Sequence, residues 1–409
     1  VDYLRDNRAE NMGFLSKTLL PDGTEIPGTN FDYNYLQHRK VDVVSSALDF
    51  ILPFEKYKIT AGAKVSFTNT RNGINYDTSD PTLVQDDYFR YKEQIYALYA
   101  DYSREYSERF SMQLGLRMEH TRTTGISEAK DTEDKHDYTR LFPTVYLLYS
   151  PTDGHALNFS FSNRISRPSQ NMVNPFPFYQ NKYTYACGRE DLKPSYTYNA
   201  ELGYTLKNNF NVSAYYSYSD DVFFQVVDLD AETNVTSFLW ENFMKTHAFG
   251  LNNSYTFRTK WLQAYAQHGV SYRRTTSSAV TTSPEEKGWA YDASLRNTFF
   301  FNEKKTLLAT LSGSYSSRQY QGIYLMSPTY SVSAGMLYRL LDNKLNLSLN
   351  VNNLFVSHSK LETMSNGLKI IADNQFSFTS FRIGVSYTFG GDIRSKGQRN
   401  SNEDIQRRL

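Results

Sequence analysis

Apolar and polar residues alternate along most of this chain, and this alternation constrains the fold more than any other feature. In FRIGVSYTFGG, at 381–391, Phe381, Ile383 and Val385 fall on one face, whereas Arg382 and Gly384 fall on the other. A period of two residues indicates a β-strand, because successive side chains point to opposite faces of a sheet. The apolar face would look inward at a core in a soluble protein, or outward at lipid in a membrane barrel.

The same pattern recurs along the chain and predicts about 15 or 16 strands. They lie at 1–15, 33–52, 57–69, 88–104, 109–124, 138–150, 155–167, 195–206, 210–227, 235–257, 261–275, 288–300, 306–320, 328–340, 344–358 and 376–390. Tight turns, such as those at 53, 151, 207 and 301, alternate with longer polar loops, such as 168–194. An up-and-down meander would place all tight turns at one rim and all long loops at the other, as in outer-membrane barrels.

The residue types on the two faces favour a membrane barrel over a soluble β-propeller or β-sandwich. The sequence shows no repeat of the length of a propeller blade. The polar face carries charged residues among Gly, Ser, Thr and Asn, which suits a water-filled lumen better than the exposed back of a sandwich. These charged residues are Arg109, Arg117, Arg164, Glu201, Arg296 and Arg382. The chain also has 33 Tyr, 27 Phe and 3 Trp, rings that are enriched at membrane interfaces. We therefore predict an all-β, transmembrane, antiparallel up-and-down β-barrel.

That fold predicts which side chains contact lipid. The apolar set expected to face outward is Tyr196, Tyr198, Leu202, Leu345, Leu347, Leu349, Ile383 and Val385. The set expected to face the lumen is Arg117, Glu201, Arg296 and Arg382.

Several other function classes find no support in the residues. A net charge of +1 gives no reason to expect a nucleic-acid partner, and the seven histidines show no metal-ligand spacing. The acidic run KDTEDKHDY lacks the glycine of a calcium loop, and no phosphate-binding glycine loop appears. SHSK at 357–360 has no partner motifs of an acyl-enzyme. We expect no enzyme, no metal and no cofactor.

Residues 163–206 carry the most specific signal, NRISRPSQNMVNPFPFYQNKYTYACGREDLKPSYTYNAELGYTL. The Arg167-Pro168 pair, the NPF and FY clusters at 174–179, and DLKP at 191–194 before ELGY resemble the outer-membrane β-barrel family of TonB-dependent receptors in the Bacteroidota. LNVNNLF at 349–355 and RIGVSYTFG at 382–390 are similar as well. The resemblance covers essentially the whole chain as the C-terminal part of a barrel.

The resemblance implies a larger protein than this chain. Such receptors have 22 barrel strands and an N-terminal plug domain with a TonB box, so residues 1–390 would be the C-terminal portion of the barrel. We expect residues 391–409 to form a disordered periplasmic tail. An incomplete barrel should pair the last strand well with 344–358, while its other edge stays open towards residues 1–15.

The loop at 168–194 is the best candidate for ligand contact, because loops of this length are uncommon as simple connections. Its aromatic rings would stack on a ligand and its arginine would hold an anion; these residues are Phe176, Phe178, Tyr179, Tyr183, Tyr185 and Arg189. The alternative is that the rings and prolines only pack the loop against the barrel wall as a constriction.

The resemblance implies TonB-dependent uptake of a scarce nutrient, such as a siderophore, corrinoid, peptide or glycan, across the outer membrane of a Gram-negative cell. Its partners would be outer-membrane lipid, the plug domain, the TonB energy-transducing complex, a small nutrient ligand and a surface lipoprotein. A passive outer-membrane channel, or a surface adhesion barrel without a plug, is the alternative.

Overall fold

The structure is a computed structural model, and it describes residues 1–27, 29–79, 86–374, 378–389, 405 and 408. Most of these residues lie in strands. The first eleven strands are β1 (Asp2–Ser16), β2 (Phe31–Pro53), β3 (Tyr57–Thr78), β4 (Asp87–Ser107), β5 (Phe110–Ser127), β6 (Thr132–Tyr149), β7 (His155–Ser166), β8 (Pro177–Asn181), β9 (Thr184–Cys187), β10 (Ser195–Leu206) and β11 (Phe210–Asp230). A single helical turn, α1 (Gln170–Val173), lies between β7 and β8.

The remaining strands complete the sheet and add a small second one. They are β12 (Val235–Arg258), β13 (Leu262–Ser277), β14 (Glu285–Phe300), β15 (Leu307–Ser316), β16 (Gln319–Gln321), β17 (Tyr324–Met326), β18 (Thr329–Leu340), β19 (Leu345–Val356), β20 (Ser359–Ser365), β21 (Leu368–Asn374) and β22 (Ser380–Tyr387). No helix in the described part of the chain is long and apolar enough to span a membrane.

The wall is one antiparallel meander. The large sheet has 18 strands, and setting aside β8 and β9, which lie inside a loop, leaves the sixteen wall strands β1–β7, β10–β15, β18, β19 and β22. All sixteen coincide with strands expected from the sequence, so the predicted fold class is confirmed. Within the described residues, β22 pairs only with β19 and β1 pairs only with β2. The expected open edge is therefore present.

The connections follow the predicted rim asymmetry. Tight turns join β2 to β3, β6 to β7, β10 to β11 and β14 to β15, whereas the 168–194 loop joins β7 to β10 at the opposite rim. We name the second rim the outer rim. The strand bounds predicted at 57–69, 109–124 and 138–150 are too short on this side, because β3, β5 and β6 extend further towards the outer rim. Above the membrane both faces of a strand meet water or polar side chains, so the alternation that reveals a strand is lost.

Two strands of three residues and two strands of seven residues form a separate sheet at the outer rim. Its order is β16-β17-β20-β21, and it packs on the outer ends of β11 and β12 through Val226, Phe243, Ile323 and Tyr324. The Tyr324 hydroxyl donates a hydrogen bond of 2.8 Å to the Gln225 carbonyl. Strands of three to seven residues are too short for sequence periodicity to reveal, and we expected loops at the positions of β17, β20 and β21.

Six of the eight residues predicted to face lipid are exposed, but so are Glu201, Arg296 and Arg382 on the lumen side, so strand alternation and not exposure separates the two faces. Leu202, Leu349 and Ile383 are exposed on the lipid side. Tyr196 differs, because it is only 8% exposed and the Arg140 guanidinium lies 5.0 Å from its ring centroid. It is therefore not one of the bare lipid-facing rings that we expected.

The predicted tail falls almost wholly outside the described residues, so its disorder stays a prediction. Two of its residues are described. Ile405 is buried against Val41 and Val43 of β2, and Arg408 forms a two-hydrogen-bond ion pair with Glu93 of β4 at 3.1 and 2.7 Å. These two residues lie inside the barrel.

Candidate functional site

The long loop between β7 and β10 folds into the lumen. Its helical turn α1 is followed by the β8–β9 hairpin, whose turn is closed by a 2.8 Å hydrogen bond from the Tyr183 amide to the Asn181 side chain. The Cys187 thiol contacts the Pro175 carbonyl at 3.1 Å. Burial raises the pKa of this thiol, so the neutral form is favoured.

Aromatic packing holds the hairpin against β2, β3 and β4. Phe176 is 2% exposed and meets Phe89 edge to face, with ring centroids 6.4 Å apart, while Tyr179 lies 5.2 Å from Tyr33. The hydroxyl of Tyr33 also donates to the Pro177 carbonyl at 3.0 Å. This geometry is what a structural constriction requires, and it matches the alternative that we left open for the loop.

The other side of the hairpin is joined to the wall at β12. Residues Thr184–Cys187 pair in parallel with Thr236–Leu239, which is an unusual parallel ladder in this antiparallel sheet. Arg189 forms ion pairs with Asp191 at 2.6 Å and Glu241 at 2.9 Å. The hydrogen bond to Asp191, together with the two carboxylate charges, raises the pKa of Arg189. Its guanidinium is thus already engaged by acidic groups.

A buried charge cluster lies under the base of the loop. The guanidinium of Arg167 donates to the Glu119 carboxylate, and Arg117 contacts the same carboxylate. The side chains of Arg167 and Glu119 are 11% and 8% exposed. Two cations on one acid satisfy a charge that burial would otherwise make costly. The sequence reasoning found the Arg167-Pro168 pair but not its acidic partner, because nothing in the sequence distinguishes Glu119 from other lumen-facing residues.

A cavity of about 380 Å³ remains between the hairpin and the inner face of β1 and β2. Its lining combines aromatic side chains with charges of both signs; the side chains that define its chemistry are Arg8, Glu10, Tyr35, Gln37, Arg39, Asn171, Phe178, Tyr179 and Trp240. Arg39 is 8% exposed and contacts Asn171 at 3.2 Å and Asp6 at 3.4 Å. The cavity can therefore contact both an apolar ring and a charged or hydrogen-bonding group.

The six predicted contact residues separate into four environments. Phe178 and Tyr179 line the cavity, and Tyr185 packs 5.2 Å from Tyr179. Phe176 is enclosed in the aromatic core, whereas Tyr183 is 48% exposed at the hairpin turn and Arg189 is ion-paired. The rest of the cavity lining, which the sequence did not predict, comes from β1, β2 and β12, far from the loop in sequence. Among the described residues, no cluster of three or more His, Cys, Asp or Glu side chains is suited to hold a metal ion.

The family profile of the outer membrane protein beta-barrel family matches residues 1–387. The chain belongs to this family. Its location is accordingly the outer membrane of a Gram-negative cell, and its class is that of membrane barrels and not of enzymes. No curated protein matches the sequence.

Solved structures of larger receptors have the same fold. The chain is similar to the ferric yersiniabactin uptake receptor from Yersinia pestis, with 15% identity, a TM-score of 0.59, and coverage of 95% of this chain and 59% of the receptor. For the ferripyoverdine receptor of the outer membrane of Pseudomonas aeruginosa the identity is 16% and the TM-score 0.58, with coverage of 94% of this chain and 53% of the receptor. For the copper transporter OprC the identity is 13% and the TM-score 0.60, with coverage of 93% of this chain and 65% of the transporter. The chain thus spans between half and two thirds of these proteins. At such low identities the likeness concerns the fold.

Proposed function

We propose that this chain forms most of the wall of an outer-membrane receptor for TonB-dependent uptake of a small nutrient. Further strands would close the gap between β22 and β1, and an N-terminal plug domain would reach the TonB complex from the periplasm. The open edges support this proposal, because unpaired backbone groups facing hydrocarbon cost several kcal/mol each.

The observation that carries the proposal is the cavity inside a lumen narrowed by the hairpin. Its volume of about 380 Å³ lies within the range of small-molecule sites. A passive pore needs a clear water path, whereas here the 168–194 loop reaches from β12 across to β2–β4. A narrowed lumen with an internal cavity favours a receptor that binds its solute before moving it.

The cavity chemistry narrows the ligand class that we propose. Tyr35, Phe178 and Trp240 offer ring faces, while Arg8 and Arg39, which both contact Asp6, offer guanidinium groups, and Glu10 is the one acid in the cavity lining. Such a lining fits a ligand that carries an aromatic or other planar part together with a carboxylate or similar anion. A siderophore has these features, as do some peptides, whereas a plain neutral glycan would use the rings and leave the arginines without a ligand partner.

The test is binding and uptake by the full-length protein in its own outer membrane. We expect uptake of a carboxylate siderophore that stops when the proton gradient is dissipated, and we expect Phe178→Ala to weaken ligand binding by about tenfold or more. Tyr183→Ala, an exposed ring in the same loop, is the matched control and should leave binding unchanged. Uptake that persists without the gradient would contradict the proposal.

One observation favours the passive channel as the second candidate. The inner faces of β15, β18, β19 and β22 are lined by small polar residues and are not covered by the loop, for example at Ser312, Ser333, Asn350 and Arg382. Steady conductance of the full-length protein in a planar bilayer, unaffected by changes at Phe178, would favour this channel over the receptor.

A further inference from the structure

Three cations lie side by side on the outer surface of the wall. Lys40 of β2 is directly opposite Arg71 of β3, and Arg71 is directly opposite Arg90 of β4. Like charges in directly opposite positions destabilise a sheet. A row of three neighbouring cations therefore calls for an anion that is present when the protein is in its membrane.

The alternation of exposure places this row on the lipid side of the wall. The flanking residues Arg39 and Val41, Thr70 and Asn72, and Phe89 and Tyr91 are buried on the lumen side, whereas the side chains of Arg71 and Arg90 are 42% and 44% exposed. The row therefore points away from the lumen.

The apolar residues on the membrane side of the row indicate where the row lies along the membrane normal. Towards the opposite rim the same outward face carries Phe67 and Tyr96, packed edge to face at 5.8 Å, and then Leu48 and Leu98. Lys40 precedes Leu48 by eight residues, which is about 26 Å along a strand. The cations thus lie beyond an aromatic girdle at the outer rim, the level of the outer-leaflet headgroups.

The acidic residues close to the row do not balance its cations. Five outward-facing cations lie here, Arg5, Lys40, Arg71, Arg90 and Lys92, with two acids, Asp42 and Glu128, whereas Asp32 and Asp77 lie on the same face nearer the tips of β2 and β3. Asp42 lies 2.7 Å from Arg5 but 4.0 Å from Arg71, and Glu128 lies 3.1 Å from Arg90. For Lys40 and Lys92, the part of the chain that the structure describes provides no carboxylate within 4.0 Å. Close to the row, cations therefore outnumber carboxylates.

A shallow groove of about 540 Å³ lies over Lys40 and Arg71, two of the three cations of the row, and Arg90 lies next to it, opposite Arg71. Its outward-facing lining is Asn7, Ala9, His38, Lys40, Arg71, Gly73 and Tyr88. Gly73, opposite His38, has no side chain, and an added Cβ there would stand in ordinary contact with the Tyr88 ring at 3.4 Å. An anionic group can therefore approach the backbone at Gly73, two residues from Arg71.

We propose that this groove binds the phosphorylated headgroup of an outer-leaflet glycolipid. Phosphate oxygens accept several charge-assisted hydrogen bonds from Arg and Lys, which suits three cations at directly opposite positions on adjacent strands. A lipid source is favoured over free phosphate because Phe67, Tyr96 and Leu98 are exposed on the same outward face, four to eight residues towards the membrane from Arg71 and Arg90, where the acyl chains of the same molecule would pack. This inference requires only the outer-membrane location and not the proposed nutrient uptake.

The opposite part of the outer rim provides a matched comparison. There the outward-facing cations are each paired: Arg274 and Lys287 with Glu285, and Lys245 with Asp220. Removing three positive charges from this paired group changes the net charge as much as removing them from the proposed groove. Only the groove should lose lipid affinity.

The experiment measures lipid A binding to the full-length purified protein in detergent. The groove variant carries Lys40→Gln, Arg71→Gln and Arg90→Gln, and the control variant carries Lys245→Gln, Arg274→Gln and Lys287→Gln. We expect the groove variant to bind phosphorylated lipid A on the order of 100-fold more weakly, because each cation near an anionic lipid surface contributes about a factor of five. Resistance of the folded band to detergent at room temperature on gels confirms that each variant is folded.

Three results would overturn the proposal. The first is equal affinity of wild type and folded groove variant. The second is equal binding of phosphorylated and dephosphorylated lipid A by wild type, because phosphate is the group recognised. The third is competition by inorganic phosphate at the same concentration as lipid A, which would assign the groove to the free ion.

Discussion

Phe176 should hold the loop inside the barrel, and Phe176→Ala should release it. The ring is 2% exposed and is enclosed by Phe89 and the aromatic residues of β2. Truncating a buried Phe to Ala costs about 3–5 kcal/mol, because transfer energy is lost and a cavity remains. If the whole cost falls on docking of the loop, the population of the released loop rises by about 150-fold or more.

Cys187 reports this release without any added probe site. It is the only cysteine of the chain, it lies on the hairpin, and its thiol is partly buried. We expect maleimide labelling of the Cys187 peptide, measured by mass spectrometry of the full-length protein, to be about 100-fold faster in Phe176→Ala than in wild type. Tyr183→Ala removes an exposed ring from the same hairpin and should label at the wild-type rate.

The reasoning would be refuted if Phe176→Ala labelled as slowly as wild type in a correctly folded barrel. It would also be refuted if Tyr183→Ala accelerated labelling equally, since the effect would then be unrelated to burial. The first result would mean that the parallel ladder to β12 alone fixes the loop.

The other predictions concern the wall, the buried charges and the small outer sheet. Leu349→Arg should lower the free energy of unfolding by about 2–4 kcal/mol and hinder assembly, whereas the neighbouring lumen-side Ser348→Arg should fold normally; urea titration in liposomes measures both. Glu119→Gln should cost about 3–5 kcal/mol in the same assay, because the buried Arg167 loses its counter-charge. The hydrogen bond from Lys369 lowers the pKa of Glu362 below its usual value of 4.5, so the stability that it gives β20 is present above pH 4.5 and is lost as the pH falls through the lowered pKa. Proteolysis of residues 359–374 should therefore increase at low pH in wild type but not in Glu362→Gln.

The wall could be predicted from the sequence because lipid imposes one rule on every strand that crosses it. Ile383 and Leu349 must be apolar because they face lipid, whereas their neighbours Arg382 and Ser348 face the lumen and can be polar. This alternation allows all sixteen wall strands to be recognised. The same rule stops at the headgroups, which is why the outer part of β3 was expected to be a loop. Short strands such as β9 also lack the alternation that lipid imposes, because they pack inside the lumen against a strand that is distant in sequence.

Only the loop side of the candidate site could be predicted from the sequence. Phe178 and Tyr179 stood out because a loop of this length with several rings is unusual. Arg8 and Arg39, which face them across the cavity, lie more than 130 residues away and look like any other polar residue on a lumen face. Register between strands brings them to the cavity, and a single sequence does not reveal which lumen residues the loop will cover.

The parallel ladder between β9 and β12 also has a mechanical consequence. The hairpin is attached to β12 at one end and to β2 and β3 at the other, through Tyr33 and Tyr76, whose hydroxyls both donate to the Pro177 carbonyl. It therefore acts as an internal cross-brace between two distant parts of a curved sheet. A sideways load on β2 would reach β12 through this brace without passing along the intervening strands, and the wall would keep its round cross-section where an unbraced sheet of this width would flatten.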